Sequence, residues 1–269
     1  GLIIRQFTGG ANLGIGFMDF SKFGLITGQF TGQIIVFFVL LNDFIKNDKK
    51  YIKNINILKM LALLKKYKDF PKINMPHAFL NTMSSELPVI MIGKFFSNAN
   101  VGFYSLSNLI IVAPMGIISS SYSQVFLQKI SELKNNNLKH EEVLFFKNTM
   151  YKLLIFSFPI FLICFFIIED IFIIVFGQEW VIAATYSMIL IPMLYFRFTG
   201  SIISSVVLVY GKQKKALYLE VLNTILRFLS LLIGGFYNNI LLGLVLFSAT
   251  SSFVSIYRLH WYFKIVKKG

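Results

Sequence analysis

Residues 181–210 read VIAATYSMILIPMLYFRFTGSIISSVVLVY, and Arg197 is the one formally charged side chain in the run. An apolar stretch of roughly 18 residues or more is long enough to cross the hydrocarbon core of a bilayer as a helix. The whole composition agrees: across 269 residues, 56% are hydrophobic and only 14% charged, with a mean hydropathy of +0.69. That balance is too apolar for a water-soluble globule, so the fold class expected is an all-α, polytopic integral membrane bundle. Cys164, within FLICFFII, is the sole cysteine, which excludes an internal disulfide and a cysteine-based metal cluster.

Outward from this run, apolar segments recur along the chain. A weak span covers about 2–18, interrupted by GGANLGIG, and a strong one runs over 24–41. Further spans are predicted at about 76–95, 101–126, 151–168, 181–210, 216–235 and 240–262, making about eight helices, antiparallel to their sequence neighbours because the connections are short. The chain opens at Gly1, already near an apolar segment and without a methionine or a secretory signal, so a longer protein, its missing part upstream, is expected. Gly24, Gly28 and Gly32 form a small-residue stripe suited to close helix packing.

Lysine placement gives the orientation. Lys46, Lys49, Lys50, Lys53, Lys59, Lys65, Lys66, Lys68 and Lys72 crowd one connection, and Lys129, Lys134, Lys139 and Lys147 the next but one. Lys212, Lys214 and Lys215 follow, then Lys264, Lys267 and Lys268, while the intervening connections are nearly free of positive charge. Positive charge flanking membrane spans stays cytoplasmic, so a cytoplasmic C-terminus is expected. The same placement accounts for the formal charge of +14 without a nucleic-acid partner. In the long basic connection Ile57, Met60, Leu61, Leu64 and Tyr67 recur at helical spacing, which reads as an amphipathic helix on the membrane surface.

Polar side chains inside spans carry a cost of roughly 2.5–3.5 kcal/mol for an arginine or aspartate at a helix centre, and so require a reason. Three ionisable residues lie near mid-span: Glu86 in NTMSSELPV, Arg197 in YFRFTG and Arg227 in VLNTILRFLS. His77, Asn81, Thr82, Ser84 and Ser85 accompany Glu86; Glu220, Asn223 and Ser230 share a face with Arg227; Ser201 and Ser204 share one with Arg197. Two arginines facing one central carboxylate leave surplus positive charge, unless Glu220 reaches one of them. A guanidinium fork matches phosphate, so a phosphate-bearing ligand is the expected partner. Glu86 reads either as an ion-pair partner or as an ion-coupling site. Pro88, Pro114, Pro159 and Pro192 lie within or near spans and are expected to kink them.

Enzyme signatures are largely missing. The sequence has no GxxxxGK[ST] phosphate loop and no HExxH, and His77, His140 and His260 are scattered without metal-ligand spacing. No cofactor is expected, and a transporter is favoured over an integral membrane glycan polymerase or transferase.

Several segments resemble the second half of bacterial oligosaccharide flippases of the Wzx type, in the multidrug/oligosaccharidyl-lipid/polysaccharide exporter superfamily. The resemblance rests on FP at 70–71 ahead of a helix with Asn and Ser, VGFYS at 101–105, FGQEWVIA at 176–183 and YGKQK at 210–214. It implies two lobes around a central cavity, worked by alternating access. In that arrangement residues 1–45 are the last two helices of the first lobe, 46–75 a basic inter-lobe connection and 76–269 a six-helix second lobe, with roughly the first four helices absent. The implied function is to flip undecaprenyl-pyrophosphate-linked oligosaccharide repeat units from the cytoplasmic to the periplasmic leaflet of the bacterial inner membrane, for O-antigen, lipopolysaccharide or capsule assembly. Partners would be the lipid-linked oligosaccharide, membrane lipid, a polysaccharide polymerase and a chain-length regulator. Arg197 and Arg227 would hold the pyrophosphate, and Asn81, Ser84, Ser85, Asn108 and Asn223 the sugars. A multidrug exporter of the same superfamily is the alternative.

Overall fold

The computed structural model describes residues 24–47, 56–66 and 69–268, and among these it contains helices and turns but no strand. Two compact units divide the chain, Gly1–Lys68 and Asp69–Gly269. In the first unit α1 spans Gly24–Asn47 and α2 spans Ile57–Lys66. The side-chain oxygen of Asn56 accepts from the Leu58 backbone N–H at 2.9 Å and caps α2. Leu61 and Leu64 are exposed on that helix. The expected span at 2–18 and Tyr67 of the amphipathic pattern lie outside the described residues.

The second unit consists of α3 (Asp69–Phe95), α4 (Asn98–Asn135), α5 (Lys139–Phe176), a 3-10 turn (Gln178–Trp180), α6 (Val181–Ile203), α7 (Val206–Val209), α8 (Gln213–Phe236) and α9 (Ile240–Lys268). Each turn has a residue suited to it. Ser97 caps α4, its hydroxyl accepting from the Asn100 N–H at 3.3 Å. Gly177 at φ 97 ends α5 within the FGQEW segment, and Gly211 at φ 66 makes the turn into α8 within YGKQK; both lie in the left-handed region that glycine adopts without strain.

α4 and α5 run well past the apolar stretches predicted at 101–126 and 151–168. Their extensions stay helical because Ile130, Leu133 and Phe146 keep one face buried where the other has turned polar. α3 likewise starts at Asp69 rather than near Pro76. Expected span 181–210 breaks at Ser204–Ser205 between α6 and α7.

Among the described residues, five helical segments are long and apolar enough to cross a membrane: Asn98–Asn135, Lys139–Phe176, Gln178–Val209, Gln213–Phe236 and Ile240–Lys268. α3 falls short because its polar residues from Asn74 to Glu86 dilute the apolar content. On α5, Ile155, Phe156, Phe166 and Ile174 are each at least 65% exposed, an outward apolar surface that water would not tolerate at this extent. The protein is a multi-pass integral membrane helical bundle.

Inside the second unit, α6 is the central helix, packed on α4, α5 and α9, while α8 lies between α3 and α9. Tyr186, Leu190, Leu194, Ile202 and Ile203 of α6 are fully or almost fully buried. α8 and α9 approach closely at Gly234 and Gly243, where a methyl group on Gly234 would sit 2.5 Å from the Gly243 Cα. The lysine-rich connections of this unit meet at one end. Lys134 donates to the Val209 carbonyl, Lys134 and Lys139 lie over the Tyr210 ring at 4.1 and 5.4 Å, and Lys215 lies over Trp261 at 5.2 Å.

Candidate functional site

A cavity of about 580 Å³ lies within the second unit. Its walls come from His77 and Asn81 on α3, Ser123 and Gln124 on α4, Arg197, Ser201 and Ser204 on α6 and its end, Gln213 and Glu220 on α8, and Arg258, Trp261 and Tyr262 on α9. On α4, α6 and α9 these are residues of the C-terminal half, and on α3 and α8 of the N-terminal half. The helices alternate in direction, so the cavity sits toward the end where the lysines gather.

Arg197 is half-buried in this wall and has no hydrogen bond, ion pair or aromatic partner among the described residues. Its position follows from α6 itself. Phe198 and Thr199 are buried on the inner face, while Ser201 and Ser204, one and two turns on, share the Arg197 face as the spacing predicts. Both serines donate back into the helix, Ser201 to the Phe198 carbonyl at 2.7 Å and Ser204 to the Ser201 carbonyl at 2.9 Å, so toward the cavity they present acceptor lone pairs. Across the cavity Arg258 binds Glu220, with an Nη2 to Oε2 distance of 2.7 Å. Glu220 is thus neutralised, and the carboxylate does not reach Arg197 or Arg227.

Arg227 occupies a different environment. It is 6% exposed and does not line the cavity. Its Nε donates to the Ser251 hydroxyl at 2.9 Å, and its Nη1 donates to the Ser84 hydroxyl at 2.8 Å and the Ser84 carbonyl at 3.3 Å, with the Phe247 ring 5.1 Å from the guanidinium carbon. The guanidinium therefore ties α8 to α3 and α9 through neutral groups, and it keeps its full charge.

The remaining residues expected at the site are scattered. Asn81 lines the cavity; Ser85 donates to the Asn81 carbonyl at 3.0 Å, inside its own helix. Ser84 is held by Arg227, and Asn108 is half-buried on α4 away from the cavity wall. Asn223 is buried, and its Oδ1 has no donor among the described residues. Glu86 is exposed and makes no ion pair among the described residues. It lies two residues from Ser84, about 200° around α3, and so faces away from Arg227.

His77 joins the cavity from the polar stripe expected beside Glu86, whereas Gln124, Gln213, Arg258, Trp261 and Tyr262 were not among the residues expected there. A signal for Arg258 does exist: Ser248, Ser251, Ser255 and Arg258 recur at intervals of three and four, one polar stripe along α9. Among the described residues no group of three His, Cys, Asp or Glu side chains is placed to hold a metal ion.

The sequence profile described as "Polysaccharide biosynthesis protein" matches residues 2–185. The chain belongs to this family. No curated protein and no solved structure matches it. Membership sets its role in polysaccharide synthesis or export, in a family of transporter or flippase type, and bears out the resemblance read from the segments at 70–71, 101–105 and 176–183. The match ends near the start of α6, so Arg197, Glu220, Arg227 and Arg258 all lie beyond it.

Proposed function

We propose that this member of the polysaccharide biosynthesis family translocates lipid-linked oligosaccharide repeat units across the bacterial inner membrane, and that the cavity receives their phosphate-bearing end. The observation that carries the reading is Arg197, a permanent cation in the cavity wall with no partner among the described residues. A half-buried guanidinium facing open space at membrane depth is a waiting anion site, because its desolvation is offset only when an anion arrives. The charge of the wall points the same way: among its lining residues two arginines, Arg197 and Arg258, stand against one carboxylate, Glu220.

About 580 Å³ is the size of a small-molecule site. It suits a pyrophosphate and the first sugar rather than an entire repeat unit. Asn81, Gln124 and Gln213 offer amide donors and acceptors to sugar hydroxyls. By the charge rule the lysine-rich end in this reading faces the cytoplasm, where such lipids are assembled, and the C-terminus lies on that side. In this reading the unit Gly1–Lys68 carries the last helices of a first lobe and the basic connection, and Asp69–Gly269 is the second lobe of an alternating-access carrier. The activity is transport, and the ligand leaves chemically unchanged.

The test is Arg197→Ala and Arg197→Lys in cells that depend on this protein for surface polysaccharide, with membrane expression measured in parallel. Loss of polysaccharide at normal expression in the alanine variant, with partial recovery in the lysine variant, is expected. Full polysaccharide in Arg197→Ala refutes the assignment.

A further inference from the structure

The cavity's second arginine has a geometry that its ion pair does not use up. Arg258 is 23% exposed on its side chain and lines the cavity, whereas Glu220 beneath it is 3% exposed. One contact joins them, Nη2 to Oε2 at 2.7 Å, and no other hydrogen bond of Arg258 occurs among the described residues. A guanidinium has five N–H donors, so most of this fork remains open toward the cavity. One helical turn beyond Glu220, Asn223 is 5% exposed and its Oδ1 is a buried acceptor without a donor among the described residues. Such an orphan is rare in a packed interior and asks for a partner.

We propose that Arg258 is a second anion-binding group of the cavity, and that Glu220 holds it in reserve until a phosphate-bearing ligand draws it away and Glu220 takes up a proton. The inference rests on the reading of the cavity as an anion site. A phosphate oxygen pair binds the guanidinium through two parallel bonds and outcompetes a carboxylate attached through one. Once Arg258 turns to the ligand, Glu220 is a buried carboxylate without its cation, a state the interior does not hold. It takes a proton from water entering through the cavity and becomes a neutral carboxylic acid with an O–H to give. Asn223, three residues along the same helix face, supplies the waiting acceptor.

The other charged or titratable groups facing Glu220 are His77 from α3, Tyr262 from α9 and Arg227 from its own helix, with Arg197 across the cavity. α7, the remaining element against α8, is VVLV and contributes none. Anion binding and proton uptake are therefore coupled at one carboxylate, and the ligand binds more tightly as pH falls.

The experiment titrates the purified full chain in lipid nanodiscs calorimetrically, with inorganic sulfate, whose charge is constant across mildly acid to mildly alkaline pH, and with inorganic pyrophosphate. Buffers of different ionisation enthalpy give the number of protons taken up per anion. Wild type is expected to take up protons on binding sulfate. Glu220→Gln frees Arg258, and is expected to bind about tenfold more tightly at neutral pH, the equivalent of one pKa unit of linkage, with no proton uptake and no pH slope. The double variant Glu220→Gln with Arg258→Gln keeps a neutral hydrogen-bonded pair and is expected to bind more weakly than Glu220→Gln alone. The proton count on wild type needs no variant, so a misfolded variant does not rescue the proposal. Binding abolished by Arg197→Ala but without proton uptake, and unchanged in Glu220→Gln, overturns this coupling while leaving the anion site intact. No binding of either anion to wild type overturns both.

Discussion

The clamp around Arg227 leads to an ordering of variants that a contact list alone would reverse. Arg227 is 6% exposed, with Ser84 at 0% and Ser251 at 1%, so each lost acceptor leaves a charged donor in a dry site. Ser251→Ala removes the partner that Nε has among the described residues, bound at 2.9 Å. Hydrogen bonds to charged groups contribute about 1.5–3 kcal/mol in soluble proteins, while side-chain bonds inside membrane bundles average ~0.6 and reach ~1.7 kcal/mol. The overlap of these ranges gives about 1.5–1.7 kcal/mol for Ser251→Ala. Ser84→Ala removes a bond at 2.8 Å, but Nη1 keeps the Ser84 carbonyl at 3.3 Å, so its cost is about 0.6–1 kcal/mol. Arg227→Met removes the charge itself; both serines then turn back to carbonyls of their own helices, and the cost stays within about 1 kcal/mol because replacing a buried charge by an apolar side chain is often neutral. Removing an acceptor is thus expected to destabilise more than removing the arginine. The measurement is equilibrium unfolding in mixed micelles of rising dodecyl sulfate content, followed by a thiol-reactive dye at Cys164, the only cysteine. Arg227→Met less stable than Ser251→Ala would refute the account of an arginine held by neutral groups.

Two further expectations use the same assay. Gly234→Ala forces a methyl to 2.5 Å from the Gly243 Cα and should cost about 1–3 kcal/mol, whereas Gly116→Ala, whose methyl enters open space among the described residues, should be neutral or stabilising by up to ~1 kcal/mol; equal effects would contradict the close α8–α9 packing. At the lysine-rich end the Tyr210 hydroxyl donates to Glu142, which is 2% exposed. Burial first, then this hydrogen bond and the Glu142 charge, push the Tyr210 phenol above its ordinary value. A raised pKa favours the protonated phenol in the folded state, so its stability is complete below the unfolded value of about 10 and is lost as pH rises through the folded one. Tyr210→Phe should therefore cost about 1–3 kcal/mol at neutral pH, with the gap from wild type closing only in strong alkali; a gap independent of pH would remove Tyr210 from that role.

Residues 181–210 announced a membrane helix because the hydrophobic effect reads length and composition, both of which are local. The lysine alternation was legible for the same reason, and Gly177 and Gly211 fall at turns where their positive φ is needed. The α4 and α5 extensions were less visible, since past the bilayer a helix needs only one apolar face, and Ile130, Leu133 and Phe146 are too sparse to announce it alone. Polar stripes on α6 and α8 were readable at helical spacing, but their partners were not. Which serine meets Arg227, and whether Arg258 or Arg227 takes Glu220, depends on the rotation of packed helices about their axes. About 100° separates successive side chains, so a modest change in packing reassigns the pair, and no single-helix pattern records it.

The three arginines are committed to different degrees, and this suggests a role for Arg227 despite its absence from the cavity wall. Among the described residues Arg197 is unpartnered and Arg258 is held by one exchangeable contact, while Arg227 is fixed on three sides by the uncharged groups of Ser84, Ser251 and Phe247. A unit charge about 10 Å from an anion contributes about 1.7 kcal/mol at an effective dielectric of about 20, without touching it. Arg227→Met is expected to weaken sulfate binding by roughly 10- to 20-fold while the fold persists, and Arg227→Lys, which keeps the charge but loses the fork, to retain affinity at some cost in stability. Calorimetric titration beside the unfolding assay separates the two effects. If the methionine and lysine variants bind sulfate equally, Arg227 acts only as a tie between helices, and the positive field of the cavity comes from Arg197 and Arg258.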